Sequence, residues 1–170
     1  KDKKLPVVRT QFDTDTNYQI PELSGETPLN PGPTAFVNII KGCDKFCTFC
    51  VVPFTRGREK SREAEEIEQE IKLLVSRGAR EIILLGQNVN AYGKRGLKQP
   101  VPFHELLYRI ASIPGLKRLR FITSHPKDFT RECITAYRDI EILANHIHLP
   151  VQSGNNRILR EMRRMHTIEE

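Results

Sequence analysis

No apolar run in the 170 residues approaches the roughly 20 needed to cross a bilayer, so a helical membrane span is excluded and no membrane partner is expected. No signal peptide is recognisable, so nothing points to an oxidising destination; a cytoplasmic protein with reduced thiols is the expectation. No internal repeat or low-complexity tract is present. Cysteine is scarce, four in all, and three of the four fall within eight residues with no histidine near them.

What is present describes a globular protein. At 170 residues, 38% hydrophobic and 28% charged, the chain can bury one core and gives no reason to expect two. The formal net charge of +6 suits a polyanionic partner without identifying one. Arg56, Arg58, Lys60 and Arg62 form a local basic turn opposed only by Glu59. Either they contact nucleic-acid phosphates or they are a solvated turn, paired with helix carboxylates such as Glu63 or Glu66.

Cys43, Cys47 and Cys50 form a C-x3-C-x2-C cluster, close enough to converge on one inorganic centre. A [4Fe–4S] cluster ordinarily takes four cysteines, so three leave one iron open to an exogenous molecule, as catalysis requires. Structural zinc is the alternative, but it needs a fourth Cys or His. The remaining cysteine, Cys133, lies far along the chain in a predicted helix and reads as a small buried hydrophobe. Three such closely spaced cysteines cannot all pair locally as disulfides.

Residues 1–33 are rich in proline and lack a sustained hydrophobic period, so they read as a linker or extended segment. From there the chain alternates strands and helices. Strands are predicted at 36–40, 82–85 (with no polar alternation, hence buried on both faces), 119–123 and 146–151. Helices are predicted from a Ser61 cap to a Gly78 stop, from Pro102 to Ala111, from Asp128 to Tyr137, and from Asn155 to Met165 with Met162 and Met165 facing the core. Four βα units in succession imply a parallel sheet flanked by helices; periodicity cannot separate an open sheet from part of a barrel. The cysteine loop, Gly86-Gln87-Asn88, Ser124-His125-Pro126 and Gln152-Ser153-Gly154 each follow a predicted strand. All four therefore fall on the face where βα folds build active sites.

With these residues in place, the sequence resembles the methylthiotransferase branch of the radical S-adenosylmethionine (SAM) enzymes. The resemblance rests on the cysteine motif with Phe49 before its last member. It rests also on VVPFTRGREKSR (51–62), LLGQNVNAYG (84–93), TSHP (123–126) and HLPVQSG (148–154), and it runs along most of residues 34 to 167. Within the branch it is strongest to members that add a methylthio group to the adenine ring of N6-isopentenyladenosine, next to the anticodon of tRNA. Sister enzymes act on threonylcarbamoyladenosine or on a ribosomal protein. A different class altogether is a non-catalytic, zinc-stabilised RNA-binding module.

The resemblance implies an α/β fold, a partial (β/α) barrel of the radical SAM type with about four βα units and an extended N-terminal segment. Residues 34–170 would be a truncated radical SAM core. Cys43, Cys47 and Cys50 would hold a [4Fe–4S] cluster whose fourth iron binds the amino and carboxylate groups of S-adenosylmethionine. Phe49 would lie beside the adenine, Gly86, Gln87 and Asn88 would meet the methionine amino group, and Ser124 and Gln152 would reach the ribose or carboxylate. The implied partners are tRNA and a flavodoxin-type electron donor. Family members carry an additional cysteine-bearing domain and an RNA-binding domain, so the chain is expected to be a fragment, inactive alone.

Overall fold

A computed structural model describes residues 32–170. The linker expected over residues 1–33 lies outside the described residues, apart from its last two. Three parallel strands form the sheet: β1 (Thr34–Asn38), β4 (Glu81–Leu85) and β5 (Arg118–Phe121), in the order β1-β4-β5. The strands are in sequential order, as expected of successive βα units. Val37 lies beside Leu84, and Leu84 beside Phe121, so one face of the sheet presents a continuous apolar row.

A single-turn helix α1 (Val52–Thr55) follows the cysteines. Helices α2 (Ala64–Ser76), α3 (Phe103–Ala111) and α4 (Arg131–Asp139) cover the apolar face of the sheet. Each buries the apolar stripe its sequence carries. Ile67 and Ile71 of α2, Leu106, Leu107 and Ile110 of α3, and Ala136 of α4 are all fully enclosed. Phe103 meets Phe121 edge-on at 5.0 Å, locking α3 to β5. Gly78, with φ +104°, ends α2 in a two-bond cap in which Gly78 N–H donates to Val75 and Ala79 N–H to Leu74.

Several expectations need correction. The apolar run at 36–40 splits: the ladder continues through Ile39, whose N–H donates to Leu85, and then β2 (Ile40–Lys41) turns away to pair antiparallel with β3 (Lys60–Ser61). Ser61 therefore sits in a strand and caps no helix; Glu63 occupies that position, and the Ser61 hydroxyl accepts the Gly93 N–H. Strand β4 is not buried on both faces. Ile82 and Leu84 are enclosed, while Glu81, Ile83 and Leu85 are half-buried, because the helices cover one side only.

The strand expected at 146–151 is absent. Contact with β5 is reduced to a parallel bridge between Leu119 and Leu143, because Thr123, at φ +69°, turns the chain out of extended geometry. Helix α4 starts three residues late, at Arg131 behind its Thr130 cap, which leaves Asp128 in a preceding 3-10 turn (Pro126–Asp128). Helix α5 (Asn156–Glu161), capped by Asn155, stops early because Arg163 and Met165 take positive φ. Met165 consequently points outward, 54% exposed, and does not join the core.

Replacing Leu107, which has no exposed surface, with Ala should cost about 2–5 kcal/mol through lost burial and the cavity left behind. Equilibrium chemical denaturation of the variant measures this directly.

Candidate active site

The loops beyond the three parallel strands, together with the segment at Pro150 and Gln152, meet at an open cleft of about 140 Å³. Cys43, Cys47 and Cys50 line it, with Phe49, Gln87, Asn88, Ser124 and Gln152. The structure thus brings together eight of the nine residues assigned to the cluster and cofactor. Gly86 is the exception. A Cβ there would lie 2.4 Å from the Ile40 side chain, so this glycine serves the close approach of β2.

The cysteine loop is held at several points. Gly42 enters it at φ +77°, and a Cβ would fall 2.1 Å from the Arg58 carbonyl oxygen. Its N–H donates to the Gln87 side chain at 2.7 Å, so Gln87 anchors the loop as well as facing the cleft. Cys43 N–H donates to Gly57 at 3.2 Å and Cys50 N–H to Cys47 at 3.0 Å. At the far end, Thr48 N–H donates to the Met162 carbonyl, tying the loop to the end of α5. Burial pushes the Cys43 thiol up to about 11, with the Glu59 carboxylate adding to it against a backbone hydrogen bond from Lys45.

Two buried carboxylates organise the rim. Asp128, 1% exposed, accepts Lys45 Nζ at 2.8 Å, the Lys94 ammonium, and Asn88 Nδ2 at 2.7 Å. Burial alone would raise its pKa, but these three partners hold it below the ordinary carboxylate value. Glu59 accepts the Asp44 N–H at 3.3 Å and is shifted upward, chiefly by burial. Asn90 exchanges two 2.9 Å hydrogen bonds with the backbone of His125, joining the loops after β4 and β5.

Four buried polar atoms on cleft-lining residues have no partner among the described residues: Asn88 Oδ1, Ser124 Oγ, His125 Nε2 and Arg164 Nε. His125 Nδ1 accepts the Lys127 N–H at 3.1 Å, which places its proton on Nε2. Burial, together with the nearby Arg164 cation, depresses its pKa to about 3, so the ring is neutral. The cleft therefore offers unsatisfied acceptors and donors side by side, complementary to a zwitterion.

The basic turn divides. Arg58 pairs with Asp44 of the cysteine loop at 2.5 Å and lies over the Phe46 ring. Arg62 is committed to Glu70 and to the Asn38 carbonyl, each at 2.7 Å. Arg56 and Lys60 are exposed. None of the four lines the cleft. Cys133 is buried in α4 beside Thr130, away from the other cysteines. Sequence reasoning missed Lys45, Asp128, Asn90 and Arg164. Signals existed for three of them: Lys45 lies within the cysteine loop, Asn90 within LLGQNVNAYG and Asp128 just after TSHP; for Arg164 there was none.

Asp128→Asn should destabilise the fold by about 3 kcal/mol, because Lys45 is left buried without its counter-charge. Thermal or chemical denaturation checks this. His125 gives a pH signature. With a folded pKa near 3, below the usual 6.5, the unfolded state binds more protons between those values, so stability falls as pH drops through this window. His125→Gln should flatten that acid slope in a pH series of denaturation midpoints.

Comparison with known proteins accords with this geometry. The profile of the Radical SAM superfamily matches residues 37–170. A tRNA-2-methylthio-N(6)-dimethylallyladenosine synthase of Caldicellulosiruptor saccharolyticus is 48% identical over 168 residues, covering 99% of this chain and 36% of the relative. The same-named protein of Clostridium botulinum (strain Alaska E43 / Type E3) is 59% identical over 136 residues, covering 80% and 30%. The chain thus spans about a third of the length of the curated relatives it matches. Among solved structures, the radical S-adenosylmethionine methyltransferase TsrM from Kitasatospora setae, with cobalamin and a [4Fe-4S] cluster bound, superposes with a TM-score of 0.58. It is 19% identical and covers 76% of this chain and 24% of that one. A parallel sheet with three cysteines in the loop beyond its first strand, and a superfamily match over nearly all the described residues, place this chain in the radical SAM superfamily.

Proposed function

We propose that the chain belongs to a tRNA methylthiotransferase that modifies the adenine ring of N6-isopentenyladenosine beside the anticodon. The observation that carries this reading is one cleft holding three cysteines and a set of unsatisfied polar atoms, in a chain 48% identical over 99% of its residues to a tRNA-2-methylthio-N(6)-dimethylallyladenosine synthase. The relatives reported above carry the dimethylallyladenosine name, which favours this reading over the sister activities on threonylcarbamoyladenosine or on a ribosomal protein.

The residues present suit the implied cofactors. Cys43, Cys47 and Cys50 would hold the cluster. A structural zinc would need a fourth Cys or His ligand, and Cys133 is instead packed in α4 beside Thr130. When bound, the [4Fe–4S] cluster and S-adenosylmethionine supply one-electron cleavage of a sulfonium and hence hydrogen abstraction. The protein's part is to bind, orient and exclude water. Asn88 Oδ1 and Ser124 Oγ can accept from an ammonium group, His125 Nε2–H can donate to a carboxylate, and the half-exposed Phe49 ring can stack on an adenine. Gln152, strained at φ +71°, can reach the same ligand.

Residues 34–170 are read as part of a barrel, with residues 1–33 as its linker. The sheet face away from the helices, bearing Phe36 at 62% exposure, would then face the barrel interior. Transfer RNA would approach on the carboxyl-end face, and a flavodoxin-type reductant would supply the electron. The setting is cytoplasmic.

In the full-length protein, purified and reconstituted anaerobically, about four irons and four sulfides per chain should bind at this site. Cys47→Ala should remove the cluster at this site, about four irons and four sulfides per chain, and abolish methylthiolation of isopentenylated tRNA, while Cys133→Ala leaves both intact. Equal loss in both variants would introduce a fourth protein ligand and sink the open-iron reading. For RNA, Arg56→Gln should lower affinity and reduce the salt slope by about 0.7–0.9 per lost phosphate contact. Arg62→Gln should lower stability and leave the slope alone, as measured by binding across a salt series.

A further inference from the structure

Arg164 is 5% exposed and has no carboxylate partner among the described residues. A buried guanidinium without a counter-charge costs several kcal/mol, so its surroundings must supply negative charge some other way. Its contacts show where. One terminal nitrogen donates to the Cys47 sulfur at 3.4 Å and the other to the Pro150 carbonyl at 2.7 Å. The backbone is bent to deliver it: Arg163 at φ +55° and Met165 at φ +60° flank it, both in a region that side-chain-bearing residues disfavour. The turn is fastened to the cysteine loop by Thr48, which donates through its N–H to Met162 and through its hydroxyl to Glu161.

From this placement we infer that Arg164 is a positioning residue that sets the reduction potential of the cluster held by Cys47, its guanidinium being the fixed counter-charge to the cluster's thiolate. The inference rests on the proposed cluster site and goes beyond it. A cation donating a hydrogen bond to a ligating sulfur interacts more strongly with the cluster after it gains an electron, and so raises its potential. The sign is definite: removing the charge must make the cluster harder to reduce.

The test is a potentiometric titration of the full-length protein, reconstituted anaerobically and held without S-adenosylmethionine, with the reduced cluster read by electron paramagnetic resonance. Leaving out S-adenosylmethionine separates this role from one in which Arg164 merely binds that molecule. Arg164→Gln should lower the reduced fraction at a fixed potential tenfold or more, a midpoint about 59 mV lower for one electron. Arg164→Lys, which keeps the charge, should stay within threefold of wild type. Should Arg164→Gln fail to load while Arg164→Lys loads normally, the charge is again what the site needs. An unchanged or higher midpoint in loaded Arg164→Gln would overturn the inference. Loss of the cluster from both variants would also overturn it, making the residue a structural brace. Failure of the wild-type protein to take up iron and sulfide would instead refute the cofactor reading on which the inference stands.

Discussion

The carboxylate of Asp128 is the point on which the site depends. It joins its own loop after β5 to two others far apart in the chain: the cysteine loop through Lys45, and the loop after β4 through Asn88 and Lys94. Buried Val89, Ala91 and Tyr92 anchor the loop after β4, but Phe46 and Phe49 of the cysteine loop stay exposed, so apolar packing alone cannot fix how these loops sit against one another. A carboxylate with 1% exposure can, since each unmet donor around it would carry a desolvation cost. Glu59 extends the arrangement through Asp44 and Asn88, and Asp44 in turn holds Arg58 and Arg95. Through Arg58 the basic turn is thereby part of the cysteine loop's support.

The electrostatics that follow favour negative charge in the cleft. Lys45 and Arg164 bring positive charge to the cleft, His125 is neutral, and the acidic groups beneath are occupied with their own partners. Such a cavity is prepared for anionic sulfur. Burial nevertheless keeps the Cys43 proton on at neutral pH, so metal uptake must displace it. Under the proposed reading, cluster assembly would be coupled to proton release, and the fixed cations would offset the negative charge that assembly brings in.

What the sequence revealed and what it concealed separate by distance along the chain. The alternation of strands and helices, the apolar stripes of α2 and α3, the cysteine spacing and the strand-end placement of the polar motifs are local patterns and were legible. Asp128 and Arg164 were not. Their partners Lys45 and Cys47 lie 83 and 117 positions away, and periodicity assigns Asp128 to a helix start. Ser61 looked like a cap for a related reason: its serine and the acidic turn after it fit the pattern, while pairing with Ile40 claimed its backbone. The expected strand at 146–151 failed at Thr123, a β-branched residue whose left-handed conformation no propensity scale anticipates.

That left-handed residue belongs to a set. Phe46, Thr123, Gln152, Arg163 and Met165 are the non-glycine residues with positive φ among those described. Phe46 is in the cysteine loop, Thr123 and Gln152 line the cleft, and the last two flank Arg164. At roughly 1–2 kcal/mol each, their combined strain approaches the net stability of an ordinary domain. None occurs in the sheet or in helices α2 to α4. Strain confined in this way requires a surplus elsewhere, and the sheet with its three covering helices is where buried apolar surface is concentrated. The packed face thus holds the carboxyl-end loops in conformations they would not adopt alone, which is how a site of charges and bent backbone can be kept rigid enough to present three cysteines to one cofactor.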